Sequence, residues 1–170
     1  MGKANFKYVV LGIESGSQIV QEKMGHRLDL ALAERTIKGL QGAGIKVCLY
    51  FILGLPFETV PEMRETINLA KRLPANSAIF FIAIPFPGTA MYEAVKQGGT
   101  FLTDMILEGK DYFAGKAVFE TGVLSSAVVE SMYRRAYREY YLRPSRILNG
   151  LEIWLSGYGP RKLRDFLLNE

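Results

Sequence analysis

A chain of 170 residues with 49% hydrophobic and 22% charged residues has the makeup of one soluble globular domain. Its net charge of +4 is small and dispersed, so no nucleic-acid partner is expected. No apolar run reaches the ~18–20 residues of a membrane span, and a single cysteine leaves no disulfide framework, so a cytoplasmic setting is expected.

The first apolar run, KYVVLGI over residues 7–13, is β-branched and aromatic and predicts a strand. It ends abruptly in the polar, glycine-rich GIESGS. Asp29 is an N-cap for a helix with Leu30, Ala33, Ile37 and Leu40 on one face, and Gly44 ends that helix. KVCLYFIL over residues 46–53 predicts a second strand. Thr59-Val60-Pro61-Glu62 is a Thr-x-x-Glu capping box, opening a helix striped by Val60, Met63, Ile67, Ala70 and Leu73. A third strand is expected over 77–84 and a short helix over 90–97.

Residues 100–125 show no sustained period and read as a connecting segment with at most one short strand or helical turn. Ser126 is read as the cap of a helix carrying Val129, Met132, Tyr133, Ala136, Tyr137 and Tyr140. Arg143-Pro144 breaks it, and two further helices are expected around Trp154 and after Pro160. The tyrosine and tryptophan positions fall at helical spacing, which favours core packing over base stacking. The arginines 134, 135, 138, 143 and 146 are read as a solvated helix face.

Strands alternating with helices at this spacing imply a parallel sheet with right-handed crossovers, which gathers all strand C-terminal ends on one rim. That rim carries Glu14-Ser15-Gly16-Ser17, then Gly54 to Glu58, then Pro85 to Thr89. Such rims hold the sites of α/β enzymes. Because side chains change face at each strand residue, Tyr8, Val10, Gly12 and Glu14 share one face, as do Cys48, Tyr50, Ile52 and Gly54. These mixed sets are expected to face a ligand, whereas Val47, Leu49, Phe51 and Leu53 suit a helix-covered side.

GIESGS, YFILGLPFET and IPFPGT, in this order, resemble the later half of the radical S-adenosylmethionine (SAM) enzymes. The resemblance leans to the cobalamin-binding branch that includes the anaerobic magnesium-protoporphyrin ester cyclases, and the helical tail after Gly122 is similar too. It implies an α/β fold: three consecutive βα units of a partial (β/α)6 TIM-like barrel over residues 1–99, a connecting segment over 100–125, and a mostly α-helical extension over 126–170. It further implies a radical SAM oxidoreductase that reduces SAM to a carbon radical and abstracts hydrogen from a small organic substrate.

By the same resemblance Glu14, with Ser15 and Ser17 beside it, meets the SAM ribose or methionine part. Ile52 packs on the adenine, Gly54 allows close backbone approach, and Pro85 shapes the floor beneath. Arg27 is a candidate for the SAM carboxylate, against the simpler reading of a solvent arginine; His26, the single histidine, reads as a surface residue. Tyr50 departs from the family pattern, which has glycine there.

The family's 4Fe-4S cluster sits on three closely spaced cysteines, and this chain has only Cys48. The cluster ligands are therefore expected in a missing N-terminal half of the barrel and any cobalamin-binding region elsewhere in the parent protein, with the isolated chain inactive and prone to self-associate through its open face. Two rival readings are a stand-alone nucleotide or phosphate module using GIESGS as an anion loop, and a non-catalytic oligomerising remnant.

Overall fold

The computed structural model describes residues 6–102 and 115–144. In chain order the elements are β1 (Tyr8–Glu14), α1 (Gln18–Lys23), α2 (Leu30–Gly42), β2 (Lys46–Leu53), α3 (Val60–Arg72), β3 (Ser77–Ile82), α4 (Ala90–Gly98), β4 (Gly99–Phe101), β5 (Phe119–Thr121) and α5 (Ser126–Tyr141). The first three strands form a parallel sheet in the order β1-β2-β3, and β4 pairs antiparallel with β5.

One face of the parallel sheet is fully covered. Val47, Leu49, Phe51 and Leu53 of β2 are completely buried, and Leu11, Ile13, Ala78, Phe80 and Ile82 join them in the main core. Each fully buried large apolar side chain contributes about 1.5–3 kcal/mol, so this row is a principal source of stability. Helices α2 and α3 lie over it, and both start at the caps expected of them. Asp29 accepts from the Leu32 N–H at 2.9 Å, and the Thr59–Glu62 capping box is formed. Gly44 ends the α2 connection at φ +75, a conformation that disfavours any residue with a Cβ.

The layer over β3 comes from α5. Val129, Met132, Ala136, Tyr137 and Tyr140 enter the main core, and the rings of Tyr137 and Phe80 meet edge-to-face at 5.4 Å. The N-cap of α5 is Ser125, whose hydroxyl accepts from the Val128 N–H, so the expected cap at Ser126 moves by one residue. Lys71 of α3 pairs with Glu139 of α5, Arg135 pairs with the same carboxylate at 2.5 Å, and Arg143 donates to the Lys71 carbonyl. The arginine face is thus partly spent on joining α5 to α3. The helices expected beyond Pro144, with Arg146, lie outside the described residues.

Helix α4 does not lie on the sheet. It packs with the β4–β5 hairpin in a second cluster of Val20, Leu55, Ala83, Val95, Val118 and Phe119. Leu55 and Ala83 follow the ends of β2 and β3, which puts this cluster at the C-terminal rim. Two short strands thus stand where at most one was expected. The six-residue α1 also went unforeseen, while β3 stops at Ile82, two residues earlier than expected. Among the described residues no helix is long and apolar enough to cross a membrane.

Candidate functional site

The second face of the sheet carries Tyr8, Val10 and Gly12, all exposed, beside the half-buried Tyr50, Ile52, Ile79 and Phe81. Tyr50 and Phe81 meet edge-to-face with centroids 4.9 Å apart. The ring of Tyr50 therefore occupies this face where the family pattern has glycine, and together with Ile52 and Phe81 it makes an apolar floor.

At the upper end of β1 the ladder breaks. Gly12 pairs with Tyr50 but Glu14 pairs with Phe51, so Ile13 is an extra residue in the register. Glu14 has φ +65, the one positive value outside glycine among the described residues. Left-handed backbone costs a residue with a Cβ about 1–2 kcal/mol, and such strain is characteristic of functional positions. The Glu14 side chain folds back over Gly12, where an added Cβ would strike its Oε1. The carboxylate consequently lies over the exposed face, next to the Tyr50 row. Burial raises its pKa above the ordinary carboxylate value, and nearby His26 opposes that rise.

Ser15 and Ser17 point elsewhere. They are 0% and 1% exposed; the Ser15 hydroxyl bonds Thr66 Oγ1 at 3.1 Å and accepts from the Ser17 N–H. The Gly16 N–H also donates to Thr66 Oγ1, at 2.9 Å. A Cβ on Gly16 would stand 2.6 Å from the Glu65 carbonyl oxygen and the Thr66 Cα. The SGS turn is therefore docked on α3, and Ser15 helps hold it there. Ser15 is thus buried against α3, on the covered side of the odd-numbered Leu11 and Ile13, with Ser17 buried beside it.

Gln21, missed in the sequence, ties the region together. Its amide donates to the Ser15 carbonyl at 2.5 Å and accepts from the Leu28 N–H at 2.7 Å. It thereby links the end of β1 to the loop bearing His26 and Arg27. Arg27 is exposed on an open cleft of about 450 Å³ whose walls include Gly16, Glu22, His26 and Asp29. Glu14 does not itself line that cleft, although His26, which does, is close enough to act on its charge.

The end of β2 is organised by a second missed residue. Glu58 is 1% exposed, and its Oε2 accepts from the N–H groups of Gly54 and Leu55 at 2.7 and 3.1 Å. Its Oε1 has no partner among the described residues, and burial lifts its pKa to about 8. A glutamate four residues after a strand-ending glycine was the available signal. Gly54 has φ +78, and the side where a Cβ would stand is filled by Val129 at 2.6 Å. The close approach documented for Gly54 is thus to α5. Pro85 is buried beyond β3. The open face carries Glu14 and Ile52, the latter also packed against the second cluster, whereas Ser15, Ser17, Gly54 and Pro85 are buried.

Residues 1–70 match the family described as the Radical SAM superfamily. The chain is 30% identical over 143 residues to an uncharacterized methyltransferase of Pyrococcus horikoshii, covering 84% of this chain and 30% of the relative. It is 24% identical over 162 residues to the bacteriochlorophyllide d C-8(2)-methyltransferase of Chlorobaculum tepidum, covering 94% and 34%. A tRNA-2-methylthio-N(6)-dimethylallyladenosine synthase of Halorhodospira halophila is 26% identical over 172 residues, covering 93% and 36%. The chain spans about a third of the length of these curated relatives. Two of their names state methyl transfer and the third a methylthio product, which lends no support to the expected oxidoreductase class or to the cyclase branch. Through residues 1–70, the chain belongs to the radical SAM superfamily.

Proposed function

We propose that this chain supplies SAM-facing strand ends to a radical SAM methyltransferase. The observation that carries the reading is Glu14, a strained carboxylate held over the exposed sheet face beside an apolar floor, within the residues that match the superfamily. A ribose diol needs a fixed acceptor, and a carboxylate locked by its own backbone is one. Adenine needs a flat apolar contact, which Ile52, Tyr50 and Phe81 offer. When bound, SAM supplies the reaction with a methyl group or a carbon-centred radical. The chain's own part is to hold the nucleoside and keep water from one side of it.

The residues present do not fit a 4Fe-4S cluster. Such clusters need several thiolates, and the sole cysteine, Cys48, is completely buried in β2. No step through the cluster is assigned to this chain, and cobalamin, implied by the resemblance, is assigned none of its residues. The first half of the barrel is the proposed partner. No substrate is assigned, because the relatives' names point to a bacteriochlorophyllide and a tRNA, two unlike molecules.

The test is SAM titration into the cluster-loaded protein that carries this segment, with and without Glu14→Ala. Loss of a charge-assisted hydrogen bond, about 1.5–3 kcal/mol, should weaken SAM binding roughly ten- to a hundredfold at unchanged iron content. An unchanged Kd overturns the ribose role.

A further inference from the structure

Two tyrosines of α5 are bonded to the backbone of β3. Tyr137 Oη donates to the Phe80 carbonyl at 3.2 Å and accepts from the Phe80 N–H at 3.3 Å. Tyr141 Oη donates to the Ala78 carbonyl at 2.7 Å and accepts from the Ala78 N–H at 3.4 Å. The tyrosines are four apart on a helix and their targets are two apart on a strand. Four residues of α5 rise about 6 Å and two strand residues span about 6.6 Å, so the two spacings nearly coincide.

The targets are the outward groups of the strand. The Ala83 N–H donates to the Leu53 carbonyl, so odd-numbered residues of β3 face β2, while Ala78 and Phe80 face away from it. Among the described residues β3 ends the sheet on that side. Unpaired backbone groups on an edge strand are a template for another strand, and a hydroxyl that both donates and accepts mimics that strand's pairing.

We propose that α5 seals the β3 edge, with Tyr137 and Tyr141 filling the positions where a further strand would pair, so that strand addition to this sheet is confined to β1. The two edges are then unequal by construction. On β1 the Lys7 carbonyl accepts from the Lys46 N–H, so odd-numbered residues face β2 and Val10 presents its N–H outward. The seal holds whatever the chain binds on its open face, and its test is separate from that of the SAM reading.

Tyr137→Phe with Tyr141→Phe removes both hydroxyls and keeps the rings. In the purified chain, amide exchange at Ala78 and Phe80 should rise roughly tenfold, the equivalent of one hydrogen bond each, while β2 amides hold their protection. Unchanged exchange at both positions overturns the proposal. So does an equal rise across β2, because the hydroxyls would then support the whole core and not one edge. A second measurement uses Val10→Pro, which removes the outward N–H of β1. Adding the two phenylalanines to Val10→Pro should raise the mass seen by light scattering at micromolar concentration. An unaltered mass means that the hydroxyls do not guard that edge.

Discussion

Glu58 reaches back four residues and takes the Gly54 N–H at 2.7 Å, holding the turn that ends β2. Because burial lifts its pKa from 4.5 to about 8, the fold favours its protonated form. A raised folded pKa contributes stability that is fully present below pH 4.5 and is lost as pH rises through about 8. Glu58→Gln keeps an acceptor for the two N–H groups and removes the titration. Urea melts at pH 5 and pH 8 should show the parent losing a few kcal/mol more than the variant over that span, of the order of ~3. Parallel losses in both proteins would mean Glu58 stays ionised in its burial.

Glu14 combines a functional side chain with an unfavourable backbone, and two substitutions separate them. Glu14→Ala removes the carboxylate and keeps the strain at φ +65, whereas Glu14→Gly removes both. Glycine should be the more stable of the two by about 1 kcal/mol, read from chemical melts, with SAM affinity equally reduced in both.

Gly16 and Thr66 join the SGS turn to α3. Gly16→Ala places a methyl 2.6 Å from backbone atoms of Glu65 and Thr66, which cannot move without shifting the helix. A loss of about 1–3 kcal/mol is expected. Thr66→Val leaves the Gly16 N–H and the Ser15 hydroxyl without their shared partner and should cost a similar amount, about 1–3 kcal/mol. Melts of the two single variants and the double should be clearly non-additive, since both changes release one contact.

Iron and sulfide supplied without oxygen should leave the isolated chain without a stable four-iron absorbance. Cys48, fully buried, cannot serve as a multi-thiolate site, and Cys48→Ser should change nothing in the spectrum. Stoichiometric loading abolished by that substitution would require a site shared between chains.

Phe6, Tyr8 and Val10 are 51%, 49% and 41% exposed on one end of the open face. The isolated chain should associate at micromolar concentration, and Val10→Lys should shift it toward monomer in light scattering. A monomeric parent would show that this face is covered from within.

Much of this was readable along the chain because it is local. β2 runs over Lys46–Leu53 as its composition predicts, and the Thr59 capping box sits where its letters place it. Alternation correctly divided Tyr8 and Val10 from Leu11 and Ile13. What escaped depends on partners distant in sequence. Ser15 is buried by Thr66, 51 positions later, and Tyr137 meets Phe80 across 57 positions. The bulge at Ile13 breaks the ladder just before Glu14, and the serines after it are buried on the side of Leu11 and Ile13, where the resemblance alone did not place them. Glu58 stood on the rim without a role because its donors, the Gly54 and Leu55 N–H groups, lie in a turn whose shape only the fold defines.

The attachment of α5 to β3 also imposes an order on synthesis. All three strands of the parallel sheet are complete at Ile82, yet the hydroxyls that close β3 belong to Tyr137 and Tyr141. At ~5–20 residues per second, the ~60 intervening residues take about 3–12 s to translate. For that interval a nascent sheet sits outside or near the ribosome with β3 unguarded, far longer than a hairpin or loop needs to find a wrong pairing. Protection during those seconds must come from the ribosome surface or a chaperone, so yield on heterologous expression should depend on translation speed downstream of residue 82.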